Sequence, residues 1–64
     1  MTKQEFFKAH RVEAMIQATN NFDKLDDFTS GSPRFKNLTA DEKLEEFTEM
    51  CLESWFDDWL ISRD

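Results

Sequence analysis

Between Thr39 and Ile61 the chain contains neither glycine nor proline. That stretch opens with Thr39-Ala40-Asp41-Glu42, the S/T-x-x-E pattern in which hydroxyl and carboxylate satisfy each other's free backbone N–H groups. Asp41 and Glu42 also suit the positive end of a helix dipole. The pattern predicts one unbroken helix over about 40–61, some 33 Å long at about 1.5 Å per residue. On a wheel at about 100° per residue, Leu44, Phe47, Cys51, Trp55 and Trp59 share an arc of about 120°, with Leu52 at its edge. Glu42, Glu45, Glu46, Glu49, Glu53 and Asp57 occupy a similar arc opposite. Phe56 and Leu60 fall near the acidic edge, and Met50 and Ile61 flank the other side. A helix sorted this way must lay its aromatic stripe against something else.

The rest of the chain supplies a partner helix. Thr2-Lys3-Gln4-Glu5 is a second capping box and predicts a helix over about 3–19. Phe6, Ala9, Val12 and Ile16 recur at spacings of three, three and four, one apolar stripe. Phe7, Ala14 and Ala18 make a second, weaker stripe. Asn20-Asn21 marks a break, because asparagine competes for backbone hydrogen bonds. A short helix over about 21–28 is expected next, with Phe22, Leu25 and Phe28 inward. Residues 29–37, Thr-Ser-Gly-Ser-Pro-Arg-Phe-Lys-Asn, carry turn chemistry. The expected fold class is therefore all-α: a small helical hairpin in one domain spanning 1–64.

Length limits what this hairpin can do alone. A chain of 64 residues buries only about 60% of the surface its unfolded form exposes. The single Cys51 offers no intrachain disulfide. Phe7, Met50, Phe56, Leu60 and Ile61 are expected to stay uncovered in an isolated copy. Burying such side chains is worth roughly 1.5–3 kcal/mol each, so self-association into a homodimeric bundle is expected. No apolar h-region follows Met1, and no apolar run reaches the length of a membrane span. A reducing, cytoplasmic setting follows from these readings.

No constellation carries a catalytic pattern. His10 and Glu13 form an H-x-x-E spacing, but there is no second histidine or cysteine pair to complete a metal site. His10 is read as a solvated residue. Cys51, between Glu49 and Glu53, reads as a small buried hydrophobe rather than a reactive thiolate. Asp57 and Asp58 point about 100° apart on a helix and cannot share a proton. One glycine excludes the phosphate-cradling glycine motifs. No enzyme and no cofactor is expected.

Charge is the informative feature. Residues 1–37 carry six Lys/Arg against five Asp/Glu, whereas residues 38–64 carry two, Lys43 and Arg63, against nine. Such a second half repels nucleic acid and anionic membrane and attracts basic protein surfaces. Glu42–Glu46, Glu45–Glu49, Glu49–Glu53 and Glu53–Asp57 are like-charge i,i+4 pairs, together costing on the order of 1–2 kcal/mol at low salt. A rule broken without local gain points to function.

The expected function is thus a non-enzymatic interaction module. It would bind and modulate a larger basic partner protein through Glu42, Glu46, Glu49, Glu53, Phe56, Asp57 and Leu60. Inhibitors of host enzymes carried by phages or accessory genes often have this small acidic form. Carboxylates about 4.5–6 Å apart by helix rise also resemble the phosphate spacing of a DNA strand, so nucleic-acid mimicry is a sharper version. The alternative is a structural homodimer or small assembly subunit whose acidic face only meets solvent. Arg34, Phe35 and Lys36 are too few for nucleic-acid binding and are expected to meet the acidic helix of the same or a second copy.

Overall fold

The computed structural model describes residues 2–62. Three helices, and no strand among the described residues, follow in order: α1 (Lys3–Asn20), α2 (Phe22–Thr29) and α3 (Ala40–Ser62). Each lies within one or two residues of its expected span.

The start signals work as the sequence implies. At α3 the box closes in both directions: the Glu42 backbone N–H donates to Thr39 Oγ1 (3.3 Å), and the Thr39 N–H donates to Glu42 Oε1 (3.1 Å). At α1 the Glu5 N–H donates to Thr2 Oγ1 (3.2 Å), while the Thr2 hydroxyl donates to the Glu5 carboxylate (3.1 Å). The break after α1 comes from Asn21, whose side-chain amide donates to the Gln17 carbonyl (2.9 Å). Its backbone N–H reaches the same carbonyl (3.0 Å), and its φ of −108° and ψ of 13° leave helical geometry. The connection from α2 to α3 is a series of turns, closed by Ser32 N–H to Thr29 O, Phe35 N–H to Ser32 O and Leu38 N–H to Phe35 O. Pro33 stands second in the middle turn, where its fixed φ fits.

α1 and α3 run antiparallel. Lys3 reaches Glu53, and eight residues further along α1 Arg11 reaches Glu45, eight residues back along α3. Two aromatic clusters mark the contact. In one, Phe6 lies 5.3 Å from Phe56 and 5.8 Å from Trp59 between ring centroids, with His10 at 4.5 Å on its other side. In the other, Phe47 lies 5.4 Å from Phe22 and 5.6 Å from Phe35, with Ala18 packed against them. These spacings suit edge-on and offset aromatic contact.

The core face of α3 is the expected one, with an addition. Phe47 and Leu52 are fully buried, and Leu44, Cys51, Trp55 and Trp59 are half-buried. Thr48, four residues from both Leu44 and Leu52, is fully buried too. Its hydroxyl donates to the Leu44 carbonyl (2.8 Å), so the polar group enters the core satisfied.

α1 faces the opposite way from its stronger sequence stripe. Phe6 is buried as expected, but Val12 is 72% exposed, Ile16 55%, and Ala9 is exposed. The fully buried positions are Ala14 and Ala18 of the weaker stripe. Turning α1 this way brings Phe6 and Phe7 toward α3 and lets two alanines admit a close helix approach, at the cost of leaving two branched side chains outside. α2 departs similarly: Phe22 and Leu25 are half-buried, but Phe28 is 84% exposed. Thr29 takes the inward place on the Phe22–Leu25 stripe, its hydroxyl donating to the Leu25 carbonyl (2.7 Å). Of the residues expected to stay uncovered, Leu60 and Ile61 are exposed, but Phe7, Met50 and Phe56 are half-buried by their own chain.

Candidate interaction surface

The acidic arc of α3 lies across the helix from its aromatic core face, with Glu45 and Glu53 within reach of α1. Glu42, Glu49, Glu53 and Asp57 are exposed and Glu46 is half-buried. They form a ridge about 22 Å long by helix rise, and Leu60, exposed at 40%, continues it toward the C-terminal end.

The ridge is less bare than its composition implies. Arg34 donates a hydrogen bond to Glu46 (2.5 Å), Lys3 sits 3.6 Å from Glu53, and Arg11 sits 3.6 Å from Glu45. Lys43 bonds Asp26 (2.7 Å) and ties α2 to α3. The cations on the α3 acids thus come from α1 and the turn segment, and the α3 repulsion has a tertiary gain that is invisible along the helix alone. A signal for this was present in the charge asymmetry: a first half with spare Lys and Arg, folded antiparallel onto an acidic helix, must bring the two together. Arg34 meets the acidic helix of its own chain, and its guanidinium also lies 5.4 Å from the Phe35 ring centroid. Phe35 itself belongs to the core. Arg63 lies outside the described residues.

These pairs leave the ridge available. Lys3 and Glu53 are both more than half exposed, and exposed pairs of this kind contribute about 0–1 kcal/mol. Among the described residues, Glu49 and Asp57 have no cationic partner within 4 Å. Glu42 is engaged by the cap at Thr39. The expected contact set therefore splits. Glu46, Glu49, Glu53, Asp57 and Leu60 share one solvent-facing line. Glu42 is at its end and holds the helix start. Phe56, expected as the apolar anchor, is instead drawn to the core edge by Phe6 and Trp59, because α1 packs on that flank of α3.

Two other residues read in the sequence lie at the edge of the core. His10 stacks against Phe6 while its side chain stays 39% exposed to solvent, with Nδ1 3.9 Å from Glu13. Cys51 is half-buried, and burial pushes its thiol above its ordinary pKa, which holds it in the protonated, unreactive form. Among the described residues there is no pocket and no group of three metal-ligating side chains. No helix among them is long and apolar enough to cross a membrane. What the ridge can do chemically is accept hydrogen bonds from guanidinium or ammonium groups, the charge-assisted kind that is strongest for arginine forks. No family model, curated protein or solved structure matches this chain.

Proposed function

We propose that this chain is a non-enzymatic interaction protein that docks the α3 ridge onto a basic surface of a larger protein and modulates it. The observation that carries the reading is the line Glu46–Glu49–Glu53–Asp57 ending in exposed Leu60. Glu49 and Asp57 are free of cationic partners among the described residues, and the cations on Glu46 and Glu53 are held by surface pairs that a partner's arginines can displace. Leu60 supplies an apolar contact at the edge of a charged strip, the arrangement of a small protein interface. Inhibition in the manner of phage or accessory-gene proteins, with the ridge mimicking a phosphate backbone, is the sharper form of the same reading.

The test is capture from a lysate of the source cells, at low and high salt, with mass spectrometry. Glu49→Lys with Glu53→Lys is compared with Asp23→Lys with Asp27→Lys, an equal change of charge on α2, away from the ridge. Loss of one specific protein in the first variant alone supports the docking. Equal capture by both variants rejects it.

A second reading is favoured by a separate observation. Val12 and Ile16 stand exposed on α1, which suits a self-associating structural protein whose acidic face meets only solvent.

A further inference from the structure

We draw no further inference here: the strongest candidate, the Arg34 guanidinium seated on Glu46 of the α3 acidic ridge as an internal competitor for a partner's arginine, belongs to the surface already described, where nothing besides the acids themselves points to a ligand.

Discussion

The orientation of α1 can be tested by exchanging the two stripes of its sequence. Val12 is 72% exposed, so only a little over a quarter of it leaves water on folding. Full burial of a valine is worth about 1.5–3 kcal/mol, so the share at stake in Val12→Ala is roughly 0.5 kcal/mol. Alanine returns a similar amount, up to about 0.6 kcal/mol, through its better helix propensity. The expected net change is near zero. Ala14 is fully buried. Ala14→Leu forces three further carbons into a closed helix contact, which typically costs about 1–3 kcal/mol. A chain of this size has a total stability of roughly 3–10 kcal/mol, and each kcal/mol moves the melting temperature by about 4–8 °C. Ala14→Leu is therefore expected to melt some 5–20 °C lower, and Val12→Ala within about 3 °C of the parent. Urea and thermal unfolding followed by circular dichroism, at a concentration where the midpoint no longer depends on concentration, give both values. A Val12→Ala loss above about 1.5 kcal/mol with Ala14→Leu tolerated would mean that α1 buries the other stripe, and the account of its outer face would fail.

Two further outcomes follow from local geometry. Thr39→Ala removes the hydroxyl that accepts from the Glu42 N–H and is expected to cost about 0.5–2 kcal/mol in urea unfolding, whereas Thr39→Ser should retain most of that. Cys51, with its thiol pushed up by burial, should react with iodoacetamide more slowly in the native chain than in urea at the same pH, and equal rates would contradict its burial. Because the folded value is the raised one, the neutral thiol's contribution to stability is fully present below the ordinary thiol range, about 8.5. It is lost as pH rises through the folded value, so the alkaline decline in stability should be shallower in Cys51→Ser.

Much of the architecture was legible because it is local. Thr2 and Thr39 announce helix starts through side chains three residues from their partners, and Asn21 ends α1 through a bond to Gln17 four residues away. The aromatic face of α3 was legible for a related reason: a single helix with acids on one arc has only one other side to bury. α1 offered no such constraint. Its charged residues are scattered, so two apolar stripes competed, and hydrophobicity alone favoured Val12 and Ile16 over Ala14 and Ala18. Close packing favoured the alanines. The ridge was legible as a row of carboxylates and the charge asymmetry pointed to cations for it, but the α1 pairs were not legible, since Lys3 and Glu53 stand fifty residues apart in the chain.

The sequence by itself determined where helices begin and end and which arc of α3 carries charge, since capping and periodicity act over three or four residues. Tertiary structure alone decided the rotation of α1, the withdrawal of Phe56 into the core edge against Phe6, and the pairing of Lys3 and Arg11 with α3. Those outcomes depend on how closely two helices approach, and that distance is a property of both surfaces together.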